Sequence, residues 1–216
     1  MTSMRVHYLH MHETSPVADP AATPAEAATA AGRRFLFLLG STRADGNSEA
    51  LARRAAEQLP TATGQRWLRL TDLPLPEFTD SRHTGDGVYA PPTGHARTLL
   101  DATLDATDVV LVSPLYWYAV SAHTKLYLDH WSGWMRVPGV DFKPRMAGRT
   151  LWGVTALAGE DPSDADPLVG TVEKTARYMR MRFGGVLLGE GNRPGELLHD
   201  EAALRRAKTF FTAVEP

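Results

Sequence analysis

The sequence predicts an open α/β fold in three layers, a parallel sheet of five strands in the order 2-1-3-4-5 with helices on both faces. Three observations predict it. From Arg34 onward, short apolar runs alternate with segments of helical spacing. The runs Phe35 to Leu39 and Val109 to Val112 are apolar without interruption, as strands covered on both faces should be. The first of them stops at Gly40-Ser41 and gives way to Leu51, Ala55 and Leu59, one face of a helix.

The elements follow in order. Strand one is Phe35 to Leu39, and the helix after it runs from Ser48 to Leu59. Strand two is Arg66 to Leu70, closed by Asp72 and the proline-punctuated Leu73-Pro74-Leu75-Pro76. A polar segment with Gly85, Gly87, Pro91 and Pro92 reads as loop, and Ala96, Leu100 and Leu104 mark the second helix. Strand three is Val109 to Val112; Ser121 then caps a helix with Ala122, Leu126, Tyr127 and Trp131 inward. Pro138 to Gly148 reads as loop and Thr150 to Thr155 as strand four. Asp166 as cap and Pro167 in the first turn open a helix with Val169, Val172, Ala176 and Met179 inward. Strand five is Gly185 to Leu188, and Ala203, Ala207 and Phe210 line the last helix. No internal repeat is present.

In the order 2-1-3-4-5 the chain reverses direction between strands one and three, and a crevice opens at their carboxyl ends. The turn on one side of it is Gly40-Ser-Thr-Arg-Ala-Asp-Gly-Asn-Ser48. Backbone N–H groups at a helix start are unpaired and partly positive, so such a turn can seat an anion. It lacks the lysine of a triphosphate loop and the third glycine of a dinucleotide fingerprint. Its chemistry suits one compact dianion held by Ser41, Arg43, Asn47 and Ser48. The plainer alternative is an ordinary turn, capped by Asn47 or Ser48 with Arg43 in solvent.

On the other side lies Ser113-Pro-Leu-Tyr-Trp-Tyr-Ala-Val120. Three consecutive aromatics after a buried strand cannot all enter the core, because successive residues face different ways. One or two of Tyr116, Trp117 and Tyr118 packing on the adjacent helix would be the plain outcome. A flat ring against them, anchored by its phosphate in the first turn, accounts for both turns together. Strand four ends in Thr155-Ala-Leu-Ala-Gly159, small residues that let backbone approach the same ring. One phosphate and one flat heterocycle without a dinucleotide fingerprint point to FMN.

The 216 residues suit one domain, 34–216, preceded by an extension, 1–33, rich in Ala, Pro and Thr and without apolar periodicity. The extension reads as mobile and lacks the pattern of a signal peptide. His7, His10 and His12 lie within it, with no carboxylate cluster or supporting shell to make them a metal site. A formal net charge of −2 gives no general attraction for nucleic acid or anionic membrane. No apolar run reaches membrane-spanning length. The absence of cysteine excludes disulfides, thiolate nucleophiles and cysteine-bound iron–sulfur clusters, and fits a reducing cytoplasm.

Gly40-Ser-Thr-Arg-x-x-Gly-Asn-Ser48, followed by Ser113-Pro-Leu-Tyr-Trp-Tyr118 with Lys125 and Asp129, resembles the NADPH-dependent FMN reductase family of flavodoxin-like proteins. The resemblance extends from about residue 34 to the C-terminus and includes Asp72-Leu-Pro-Leu-Pro76 and the Phe142-Lys-Pro approach to strand four. It implies that Ser41, Arg43, Asn47 and Ser48 bind the FMN phosphate. It implies that Pro114, Leu115, Tyr116, Trp117 and Tyr118 lie along the isoalloxazine; Thr155, Ala156 and Gly159 join the candidate site from the small-residue end of strand four. The implied activity is transfer of electrons from NAD(P)H through FMN to a small acceptor (quinone, azo compound or flavin) by a homodimer or homotetramer. The alternative is a flavodoxin-like carrier, or an FMN-binding module, with no NAD(P)H oxidation of its own. Arg43 and the near-neutral charge argue against a carrier. No acid–base dyad is expected; His123 and His130 are the nearest candidates for proton delivery. Lys125 and Asp129 read as a structural pair at i,i+4. The acidic loop from Glu160 to Asp166 departs from the family pattern and would hinder an anionic nicotinamide phosphate.

Overall fold

The computed structural model describes residues 32–159 and 161–212, so the predicted extension, its histidines and Glu160 lie outside the described residues. Its first strand, β1 (Arg34–Leu39), is buried at every position after Arg34. Alternation along a strand sends Phe35, Phe37 and Leu39 to one face, with Leu51, Ala52 and Ala55 of α1 (Asn47–Ala56). Leu36 and Leu38 go to the other, with Leu99 and Leu100 of α2 (Gly94–Asp105). The remaining elements are β2 (Gly64–Arg69), β3 (Asp108–Val112), α3 (Ala122–Trp134), α4 (Phe142–Met146), β4 (Thr150–Leu157), α5 (Asp166–Tyr178), β5 (Arg182–Glu190) and α6 (Glu201–Ala207).

The sheet runs β2-β1-β3-β4-β5 and every neighbouring pair is parallel, as the apolar runs predict. Helices α1 and α6 cover one face, and α2, α3 and α5 cover the other. The sheet is anchored at its amino end by Asp108, buried at 2% exposure. Its carboxylate accepts from Arg33 Nη2 at 2.5 Å, Thr107 Oγ1 at 2.7 Å and Trp152 Nε1 at 3.0 Å. A buried charge is tolerated when its lone pairs are taken up in this way.

Several local expectations are corrected. Pro138 to Gly148 is not all loop: α4 forms there and buries Phe142 and Met146. In α3, Ala122 is exposed and Thr124 is buried in its place. Asp166 is the first residue of α5 rather than its cap, which is Ala165. Phe210 lies beyond α6, in a short 3-10 turn. Strand β5 is longer than expected at both ends, and a bulge opposite Leu151 and Trp152, with Gly185 at φ +103°, shifts its register by one residue.

Candidate functional site

The carboxyl ends of β1, β3, β4 and β5 converge on one cavity of about 240 Å³. The turn after β1 enters α1 with Gly46 at the cap position, which has no side chain to offer. The first-turn N–H groups of Asn47, Ser48 and Glu49 therefore have neither an intrahelical nor a side-chain cap, and these residues line the cavity. Neither Asn47 nor Ser48 is the helix cap, which corrects that part of the plainer reading, while Arg43 is exposed as that reading expects. Ser41 Oγ accepts from the Arg43 N–H at 3.0 Å, closing the turn on itself and leaving its own hydroxyl proton free. The Arg43 guanidinium is exposed on the cavity rim and pairs with no carboxylate among the described residues.

Two polar ties bring the walls together. Ser121, the cap of α3, donates from Oγ to the Gly40 carbonyl at 2.7 Å, and its N–H donates to Ser113 Oγ at 2.8 Å. A side chain at position 40 would collide with Thr124 Oγ1 and lie 2.7 Å from Ser121 Oγ, so this approach requires glycine. On the opposite side, Ser48 Oγ accepts from the Ala156 N–H at 3.0 Å and joins α1 to the end of β4.

Of the residues predicted for the site, Ser41, Arg43, Asn47, Ser48, Pro114, Leu115, Tyr116 and Ala156 line this cavity. Trp117, Tyr118, Thr155 and Gly159 do not. Tyr116 and Ala119 exchange two backbone hydrogen bonds at 3.1 Å, so Trp117 and Tyr118 form the tip of a two-residue turn. Both adopt positive φ, +49° and +63°, and Trp117 is 93% exposed. Thr155 is fully buried in β4 with an Oγ1 that has no hydrogen-bond partner among the described residues.

Asn47 has a role that the sequence did not suggest. Its Nδ2 donates to Arg193 O at 2.9 Å and its Oδ1 accepts from Gly195 N at 3.1 Å. With both ends of the amide occupied, the side chain holds the loop after β5, and Gly191, Asn192 and Pro194 of that loop form a fourth wall. His123 does not line the cavity, and His130 lies against Pro76 O at 2.9 Å beside a different one. Lys125 and Asp129 pair at 2.6 Å as expected.

Residues 33–210 match the profile of a family described as having the flavodoxin-like fold. The chain belongs to that family. Among curated relatives of this flavodoxin-like chain, a Bacillus subtilis protein is 32% identical over 180 residues, 82% of this chain and 96% of its own. Its provisional name is NAD(P)H-dependent FMN-containing oxidoreductase YwqN. The resemblance to the FMN reductase branch, drawn from the paired turns, is thereby borne out. Among solved structures, the Trp repressor binding protein of Bacillus subtilis is 24% identical with a TM-score of 0.65, covering 84% of this chain and 100% of its own. An azoreductase from Bacillus anthracis is 19% identical with a TM-score of 0.56, covering 82% and 99%. These structures share the flavodoxin-like fold. Among the described residues no helix is long and apolar enough to cross a membrane.

Proposed function

We propose that the protein is an FMN-dependent NAD(P)H oxidoreductase that passes electrons to a small acceptor such as a quinone, an azo compound or a flavin. The observation that carries this reading is the union of two chemistries in one cavity. Its lining combines uncapped helix N–H groups, two hydroxyls and a guanidinium that pairs with no carboxylate among the described residues with the apolar Leu39, Val112, Pro114, Leu115 and Tyr116. The donor set suits a phosphate dianion and the apolar lining a flat ring, so the residues present fit FMN. The 32% identical relative, named for NAD(P)H and FMN, supports the same assignment.

In this reading Ser41, Ser48, Arg43 and the first-turn amides hold the phosphate, while Asn47 acts through the β5 loop. Pro114, Leu115, Tyr116 and Ala156 bound the ring. Bound FMN would supply two-electron exchange between nicotinamide and acceptor. The chain would supply the position of the group through these residues.

Trp117 and Tyr118 belong to a different part of the task. They sit outside the cavity wall on a turn that bulky residues rarely adopt, and with Tyr116 they make three successive exposed aromatic side chains. We assign this tip to the contact with a flat acceptor or a second protomer of a homodimer or homotetramer. The working unit is residues 34–216, and the location cytoplasmic. Anaerobic stopped-flow mixing of the FMN-loaded protein with NADH or NADPH tests the proposal. The flavin absorption band should bleach and return on adding a quinone; a band that persists contradicts it.

A further inference from the structure

Glu49 sets a carboxylate beside the candidate phosphate seat. It lies in the first turn of α1, lines the cavity and is 5% exposed. A negative charge there would repel a phosphate. Its two oxygens are occupied separately, however. Oε1 accepts from Arg53 Nη2 at 2.6 Å, and Oε2 accepts from Arg69 Nη2 at 2.6 Å. Arg69, at the end of β2, also donates from Nη1 to the backbone carbonyl of Arg43 at 3.2 Å. One guanidinium thus spans the Glu49 carboxylate and the middle of the anion turn. Arg53 is held from its other side by stacking over Trp67 at 4.4 Å.

We infer that Glu49 and Arg69 are positioning residues for the phosphate turn: Glu49 orients Arg69, and Arg69 fixes the Arg43 backbone so that the Arg43 side chain meets the phosphate. This inference rests on the FMN reading and adds two residues to the machinery of that site. Arg69 does not line the cavity, so it acts through the turn. A planar fork is needed because two acceptors, a carboxylate and a carbonyl, must be met in fixed directions together. With the exposed Asp45 of the same turn counted, three guanidiniums (Arg43, Arg53 and Arg69) stand against two carboxylates, a net positive balance for a dianion.

The test is a fluorescence titration of the full chain with FMN and with riboflavin, which shares the ring and lacks the phosphate. Arg69→Ala should weaken FMN about tenfold, the scale of one charge-assisted contact, and leave riboflavin within about twofold. Arg69→Lys should not restore FMN binding, since one ammonium cannot span both acceptors. Glu49→Gln separates positioning from charge. If Glu49 only repels the phosphate, its neutralisation tightens FMN; positioning predicts that FMN binds more weakly. Riboflavin binding and circular dichroism report that each variant is folded. Should Arg69→Ala fail to fold, the lysine and glutamine variants decide. An unchanged ratio of FMN to riboflavin affinity in Arg69→Ala, full rescue by lysine, or tighter FMN in Glu49→Gln overturns the inference and leaves the flavin reading standing. Wild-type protein that binds neither flavin overturns both.

Discussion

Ser121 Oγ donates to the Gly40 carbonyl at 2.7 Å, joining two turns that are 81 residues apart in the chain. The same hydroxyl accepts from Thr124 N at 3.3 Å and so caps α3. A single side chain therefore starts a helix and sets the distance between the two halves of the site. Ser121→Ala should cost about 1 kcal/mol from the cap and a further amount of about 1 kcal/mol from the orphaned Gly40 carbonyl. Urea unfolding would measure the loss, and flavin affinity should fall with it.

Gly40→Ala makes the same point by steric means. Its Cβ would meet Thr124 Oγ1 and Ser121 Oγ, both buried and hydrogen-bonded to each other at 3.0 Å. Overpacking of this kind costs about 1–3 kcal/mol. The double variant Gly40→Ala with Thr124→Ala should recover part of that stability, as thermal unfolding would show.

Arg43→Ala should weaken FMN about tenfold or more, because it removes a charge-assisted contact to a dianion. Equilibrium titration checks this, and an affinity unchanged within about twofold places the guanidinium in solvent instead.

These expectations rest on features of differing legibility. The sheet order and the two principal turns could be read from the sequence because each is signalled locally: Phe35 to Leu39 and Val109 to Val112 by unbroken apolarity, Gly40 to Ser48 by its glycines and hydroxyls. The fourth wall was not legible. Nothing local in Asn192-Arg193-Pro194-Gly195 signals a site; the Asn47 amide, bonded to Gly195 across 148 residues of sequence separation, and the Gly191 N–H bond to Leu157 O at the end of β4 hold this loop there. The Glu49 to Arg69 pair was hidden for the same reason, since its partners lie on different elements. The aromatic run Tyr116 to Tyr118 was placed as a unit in the site, yet the tight turn reverses the chain and leaves only Tyr116 on the cavity wall. Helix α4 escaped notice because its five residues include Pro144 and follow Asp141 in left-handed conformation.

The Trp117–Tyr118 tip should trade stability for function. A two-residue turn with both φ values positive favours Asn-Gly. Replacing Trp117 by Asn and Tyr118 by Gly should stabilise the fold by about 1 kcal/mol, through relief of left-handed strain. The same change should lower kcat/KM for the acceptor or shift the oligomeric state, measured by steady-state kinetics and by light scattering.

Acid should loosen the anion turn. Burial raises the Glu49 pKa, but its hydrogen bonds and charge pairing with Arg69 and Arg53 outweigh that and hold it below the ordinary glutamate value. A group depressed in the folded state contributes stability above its unfolded pKa and loses it as pH falls through the folded one. Unfolding free energy should therefore decline as pH falls below the ordinary glutamate range. Glu49→Gln should flatten that slope, as denaturant titrations over a pH series would reveal.

The account as a whole turns on where FMN lies, and a crystal structure of the FMN-soaked protein tests this most directly. The phosphate should sit within hydrogen-bond reach of the Ser41 and Ser48 hydroxyls and the first-turn amides of α1, with the ring against Leu115 and Tyr116. FMN seated instead in the separate cavity lined by Phe78, Tyr89 and Trp134, with the anion turn bare, would contradict it.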